Sequence, residues 1–325
     1  MLAKRGVSRL IECALVFACS FAGPAVAQTY PNKPVRMIVT VASGGPIDTI
    51  ARLTAGQMQS DLGQPVVVEN RAGSGGTLGA RSIITAEPDG YSLLFSTLQT
   101  FAIAPALYQN PGYDPAKFVP VGLVAEFPFV FVVPTQIPAK TAKEFADFAK
   151  TTKEKLAFGG SLATPPHLYG ELFKRNNELD MVYVPYKGLA PSINDLISAR
   201  THMAFDALTT LLPLIQEGKL RPLAVVSSHR LAILPDVPTM AESGYPNFPG
   251  NPWTGIVAPP GTPTSIVARL NAAIAAALAS AAMGERMGKL SLSPLGGSPA
   301  RFAEQIASDT PKWREVVLLS GAKAE

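Results

Sequence analysis

Two stretches of this chain carry a glycine-rich turn into the start of a helix, the arrangement that exposes backbone N–H groups to an anion. The first is Val39-Thr-Val-Ala-Ser43-Gly44-Gly45-Pro46-Ile47-Asp48, an apolar strand that feeds a Gly-Gly loop and an amphipathic helix. Unbonded N–H groups at the positive end of the helix macrodipole favour a carboxylate or phosphate there. Ser43 can cap the helix or bond a ligand oxygen. Gly44 and Gly45 let a ligand approach the backbone, and Pro46 suits an early helix position but cannot donate a hydrogen bond. Asp48 either complements the dipole or belongs to the site. The second stretch is Glu69-Asn-Arg-Ala-Gly73-Ser-Gly75-Gly76-Thr-Leu78-Gly79. A dinucleotide fingerprint needs glycines at relative positions one, three and six; Gly73 and Gly75 fit, Leu78 does not, and a P-loop lysine is missing. That loop is either a second polar wall of a cleft or a flexible turn.

A different chemistry is suggested by Gly159-Gly-Ser161-Leu-Ala163-Thr164. Ser161 sits in a partial nucleophile elbow, and Asp206 and His229 follow in the Ser, Asp, His order of that hydrolase class. The elbow turns into a helix directly after its serine, whereas Thr164-Pro165-Pro166 delays the helix and Ala163 stands where the last glycine belongs. An exported serine hydrolase using Ser161 is thus the enzymatic alternative to ligand capture. Asp206 ends an apolar strand and precedes a helix, which puts its carboxylate at the carboxyl edge of the sheet, where open α/β folds bind ligands. A capping role is compatible with that position. Ser96, Thr97 and Phe101, just beyond the Ser92–Phe95 strand, complete the ligand-binding candidates. The three histidines, at 167, 202 and 229, lie far apart, so the sequence offers no metal-ligand spacing and calls for no cofactor.

Positioning these groups falls to short β-branched strands that alternate with longer periodic helices, the rhythm of an α/β protein with a largely parallel sheet. Strands are predicted at 35–41, 66–69 and 92–95, with helices at 47–59 and 78–86. A second set runs from a strand at 129–133 through helices at 142–150, 167–175, 190–198 and 208–217. Its further strands are predicted at 156–158, 182–184, 202–205 and 223–226. The Pro-rich stretch 235–263 changes the pattern. Two terminal helices follow, one from Thr262 and Pro263 to about Met283, the other from Ser298 and Pro299.

The first residues carry Lys4, Arg5 and Arg9, an apolar run and Ala25-Val26-Ala27, the grammar of a signal peptide spanning 1–27. Both cysteines, Cys13 and Cys19, fall inside it, and Cys19 lies in a weak lipoprotein-like box. Cleavage removes Glu12 with the three basic residues, which takes the formal charge from +4 to +2. Lys and Arg are scattered rather than clustered with aromatics, so no nucleic-acid footprint is present. Beyond the leader, no run is apolar for the roughly 18 residues that a membrane span needs.

Taken together, the motifs resemble the periplasmic substrate-binding receptors of tripartite tricarboxylate transporters, the Bug proteins, over nearly the whole mature chain. The match rests on Tyr30-Pro-x-Lys-Pro34, Gly44-Gly45-x-x-Asp48-x-x-Ala51-Arg52, Val68-Glu-Asn-Arg71 with Gly73-x-Gly75-Gly76, and Pro88-Asp-Gly-Tyr91. It continues through Pro105-x-Leu-Tyr108, Thr164-x-x-His167-Leu168, Val184-Pro-Tyr-Lys-Gly188, Phe205-Asp206, Pro235-Asp-Val-Pro-Thr239 and Pro259-x-Gly-Thr-Pro263. The resemblance implies a two-lobed periplasmic-binding-protein fold of type II. Residues 28–127 plus 251–325 would form one lobe and 128–250 the other, closing on a small organic carboxylate.

It further implies a monomer without catalytic residues, located in the periplasm, that hands its ligand to a membrane permease; a ligand-sensing partner of a membrane kinase is the other non-enzymatic reading. One ligand carboxyl group would be gripped by the Ser43–Asp48 and Ser161–Thr164 loops, with Asp206 at its distal part. The family often has Gly-Thr where Pro46-Ile47 stand, His and Asn where Phe101 and Ala104 stand, and Gly in place of Ser161 and Ala163. These departures predict a less polar pocket, with Phe101 as an aromatic wall.

Overall fold

The computed structural model describes residues 30–162, 164–186 and 189–322; the expected signal peptide over 1–27, Ala163 and the Lys187-Gly188 end of the Val184 motif lie outside them. Strands β1 (Val35–Val39), β2 (Val66–Asn70) and β3 (Ser92–Thr97) pair in parallel, with β1 in the middle. β1 and β3 read as near-continuous apolar runs because both faces are covered, as parallel strands require. The Pro46–Leu62 helix follows β1, and the Thr77–Ile84 helix follows β2.

The predicted parallel sheet covers only part of what forms. β4 (Val119–Glu126), β10 (Trp253–Ala258) and the short β11 (Ser293–Pro294) complete a six-stranded mixed sheet in the order β11-β4-β10-β3-β1-β2. β10 lies antiparallel to both its neighbours. Neither β4 nor β10 follows a crossover helix in the manner of a β-α-β unit, so the rhythm that exposes the parallel strands does not reveal them.

The intervening chain builds a second sheet. β5 (Phe129–Pro134) pairs antiparallel with β8 (Ala204–Ala207) and β9 (Leu220–Val225), while β6 (Ala157–Gly160) and β7 (Val182–Pro185) pair in parallel. A bridge between Phe158 and Met203 links the two groups. Phe131 anchors the core beneath them, stacked on Phe205 at 4.5 Å and packed on Phe173 at 4.7 Å.

The chain passes between the sheets at 127–128 and 250–252, and these segments are tied to each other. Phe127 donates its N–H to the Pro252 carbonyl at 2.8 Å. Asn251 accepts from the Phe129 N–H at 3.0 Å and donates to Glu126 at 2.8 Å. Burial raises the Glu126 pKa, partly offset by that bond.

The expected helix to Met283 breaks. Thr264–Leu278 ends, and Ser280 caps a new helix, Ala281–Lys289, bent 65° from the first. The terminal Pro299–Ser320 helix starts at the predicted Ser298 cap. It packs on β4 and sets Trp313 edge-on to Tyr169 at 5.2 Å. No single described helix is long and apolar enough to cross a membrane.

Candidate functional site

A cleft of about 280 Å³ opens where the strand ends of both sheets meet the connecting segments. Val41, Pro46 and Ile47 face it from the end of β1, and Thr97, Leu98 and Gln99 from the end of β3. Opposite stand Pro165, Leu189, Asp206, Ala207, Thr209 and Thr210. Phe127, Phe129, Pro252, Trp253 and Thr254 close the side formed by the connections.

Four helices therefore begin at this cleft: Pro46–Leu62, Pro165–Asn176, Leu189–Ile197 and Leu208–Gln216. Their positive ends converge on one space. Gly45, Thr164 and Ala207, the N-cap residues of the first, second and fourth, make no side-chain capping bond. Helices at Thr141, Ser280 and Ser298 are capped by hydroxyls, although those from Thr77 and Thr264 also start without one. No Lys, Arg or His is among the residues lining the cleft. Helix dipoles can attract an anion without a buried cation.

Asp48 does not face the ligand space. It is 3% exposed and bonds three partners: the Gly44 N–H at 2.9 Å, Arg52 Nε at 3.0 Å and Asn70 Nδ2 at 2.8 Å. Asn70 also donates to the Val41 carbonyl at 3.0 Å and accepts from Arg52 Nη2 at 2.6 Å. Burial alone would raise the Asp48 pKa; the bonds from Arg52, Gly44 and Asn70 outweigh it and hold the carboxyl below its ordinary value. The Gly44-to-Arg52 motif and the Val68-to-Arg71 motif thus form one clamp that fixes the loop. Gly44 spends its N–H on that clamp and adopts φ +92°, a conformation that favours glycine. Ser43 is exposed and Gly45 half-buried beside Pro46.

Asp206 is where the strand-end argument puts it, in the cleft wall, with partial exposure. The only hydrogen bond to its carboxylate among the described residues comes from the Ala207 N–H at 2.6 Å. Burial pushes its pKa up to about 6, against that single bond. Thr97, Gln99, Thr209 and Thr210 also reach the cleft, and their side chains carry no hydrogen bond among the described residues. Ser96 is fully buried, does not line the cleft and leaves its hydroxyl without a partner among the described residues, as does Thr40 just beyond β1.

Phe101 overturns the expectation of an aromatic wall. It is 0% exposed and packs against Phe118, Trp253 and Phe302 with ring centroids at 5.9, 5.9 and 6.3 Å. It belongs to the core because the chain winds into a π-helical turn, Gln99–Ile103, right after β3 and carries the ring inward. The aromatic surface of the cleft comes instead from Trp253, Phe127 and Phe129. Trp253 is held by its indole N–H, which donates to Asp309 of the terminal helix at 2.7 Å. The sequence signal for it was slight: one of two tryptophans, inside the Pro-rich stretch.

Ser161 and Thr164 form a turn of their own, Thr164 Oγ1 donating to the Ser161 carbonyl at 2.6 Å. The helix starts at Pro165, after that turn. No hydrogen bond among the described residues joins Ser161, Asp206 and His229; His229 Nδ1 meets Ser228 at 3.3 Å. His167 is buried against Tyr183 at 3.9 Å, and burial lowers its pKa to about 4. Among the described residues no group of His, Cys, Asp and Glu could hold a metal ion. The arrangement suits reversible capture of an anion with an apolar body.

Residues 50–321 match the model of the tripartite tricarboxylate transporter family receptor. The chain is 35% identical to Protein BugT of Bordetella pertussis over 322 residues, covering 98% of this chain and 99% of that protein. Among solved structures, periplasmic binding protein BugD matches with a TM-score of 0.73 and 37% identity, covering 91% of this chain and all of that one. R. palustris Rpa4515 with adipate matches with a TM-score of 0.76 and 34% identity, over 90% of this chain and 99% of that one.

Proposed function

The chain belongs to the tripartite tricarboxylate transporter receptor family, and from that premise we propose that it captures a small organic carboxylate in this cleft and presents it to the transporter's membrane permease. Its fold is the two-lobed α/β fold of periplasmic binding proteins. We assign residues 28–127 and 251–325 to one lobe and 128–250 to the other, with the two connecting segments as the hinge. Export by cleavage after Ala27, a periplasmic location and a monomeric state complete the reading. It involves no chemistry on the ligand, in keeping with relatives that are receptors.

The observation that carries the proposal is the convergence of four helix starts on a cleft without a lining cation. The carboxylate lies against the helix starts with Thr97, Gln99, Thr209 and Thr210 as further hydrogen-bond partners. The apolar body lies along Ile47, Leu189 and the Phe127, Phe129 and Trp253 rings. Burying that body contributes about 25 cal/mol per Å². A highly charged acid such as citrate would lose water from carboxylates that this wall cannot bond, at a cost of several kcal/mol. Adipate, bound by a similar protein, has one apolar chain between its carboxylates.

The test is a thermal-shift and calorimetric panel of adipate, citrate, benzoate and short aliphatic acids on the mature chain. A ligand at a hundredfold its Kd stabilises the folded state by about 2.7 kcal/mol. Adipate or benzoate is expected to outperform citrate. A panel without any shift or heat overturns the carboxylate reading; citrate binding tightest overturns the apolar pocket.

A further inference from the structure

Resting on the delivery step above, we propose that a groove between the Pro46–Leu62 and Ala281–Lys289 helices docks an acidic segment of the membrane partner, and that Arg52 relays its arrival to the cleft. The groove, about 460 Å³, is lined by Thr49, Arg52, Leu53, Ala282, Glu285, Arg286 and Lys289. Lys289 is paired with Glu285 at 2.6 Å. Arg286 is exposed and its side chain has no partner among the described residues. Arg52 turns one edge of its guanidinium to Asp48 and Asn70 and remains 49% exposed.

Arg52 is paired with Asp48 and Lys289 with Glu285, so the concavity keeps a surplus of one positive charge, carried by the exposed Arg286. Complementarity then selects an acidic partner and sets its orientation. A protein segment fits better than a membrane surface for two reasons. The site is a concavity to which Leu53 and Ala282 add apolar surface between the charged side chains. Recognition of anionic lipid also rests on clusters of about four to eight basic residues, more than are present here.

The position of the groove gives docking a consequence. Thr49 and Arg52 lie in the first turns of the helix whose Pro46 and Ile47 line the cleft. Asp48 holds the Gly44 N–H with the same oxygen that accepts from Arg52 Nε. A partner carboxylate that draws the guanidinium outward competes with Asp48 and loosens the loop at the cleft rim. Docking and ligand retention therefore share one side chain.

The probe is the peptide acetyl-Glu-Leu-Glu-Leu-Glu-amide, compared with its all-Gln counterpart and with vesicles of phosphatidylglycerol and phosphatidylethanolamine, on the full mature chain. The Glu peptide is expected to bind, and the Gln peptide about tenfold more weakly. Arg286→Glu and Lys289→Glu should each weaken the Glu peptide about tenfold while leaving the adipate thermal shift unchanged, which separates loss of docking from failure of the carboxylate reading. Hydrogen exchange at the Gly44 amide should speed up when the Glu peptide binds. No binding, equal binding of the Gln peptide, indifference to both charge reversals, or tighter binding to vesicles overturns the docking site. Unchanged Gly44 exchange in the bound state overturns the relay.

Discussion

Asp48 and Asp206 stand at matching places, each beside a helix start that borders the cleft, and the protein treats them in opposite ways. Asp48 is buried but fully engaged, bonded to Gly44, Arg52 and Asn70, and its pKa is held down. Asp206 receives a single N–H and its pKa is driven up to about 6. A carboxylate whose lone pairs are spent on its own chain is scaffold; one left short of partners beside a cleft is available to a ligand. Position relative to the sheet is shared by both and cannot tell them apart. The number of bonds already made can.

The sharpest way to break this contrast is to remove Asp48. Asp48→Ala leaves the Gly44 N–H, the Asn70 amide and Arg52 without their acceptor and should cost about 2 to 4 kcal/mol of stability by urea unfolding. The same change at Asp206 should cost little or nothing. Equal losses at the two positions would end the distinction between them. For ligand affinity the ranking turns round: Asp206→Ala is expected to weaken adipate or benzoate binding by about 1 to 3 kcal/mol in calorimetry. Unchanged affinity would make Asp206 a bystander.

A smaller effect sharpens the comparison through pH. The Asp206 pKa is raised on folding, so its contribution favours the fold below its unfolded value, near 3.8, and is lost as pH rises through about 6. Discounted for its partial exposure, ionisation should cost the unliganded protein about 1 to 2 kcal/mol at high pH. Asp206→Asn should therefore be more stable than the natural chain at about pH 8 and lose that advantage by about pH 4. The depressed pKa of Asp48 acts in the other direction: its contribution is present above the unfolded value and disappears as pH falls through the folded one. Melting curves across the range, taken on both variants, should slope in opposite senses relative to the natural chain.

The helices and parallel strands were legible because each carries its own periodicity and punctuation; Ser298-Pro299 is an example, a cap and a first-turn proline adjacent in sequence. β4 and β10 were not legible. β4 contains Pro120 and Gly122, and β10 starts directly after Pro252 within a stretch that reads as loop, so their strand identity depends on neighbours more than a hundred residues away. The place of Asp206 in the cleft wall is legible from topology alone. The role of Asp48 was hidden because its partner Asn70 lies 22 residues on, across the sheet. Phe101 was misplaced for a more local reason: a π-helical turn shifts which residue faces inward, and single-sequence periodicity does not register that.

Trp253 has one further consequence, and it is optical. The chain contains two tryptophans, and they occupy different surroundings. Trp313 is edge-on to Tyr169 at 5.2 Å and does not line the cleft. Trp253 lines the cleft, its indole dipole fixed by Asp309, a buried carboxylate that also accepts from Gln305 at 2.6 Å. Displacing water from that face changes the polarity around one indole and leaves the other as an internal reference. With the ligand in the proposed cleft, emission from the unlabelled protein should carry a built-in signal of occupancy, and Trp313→Phe should isolate it without touching the cleft.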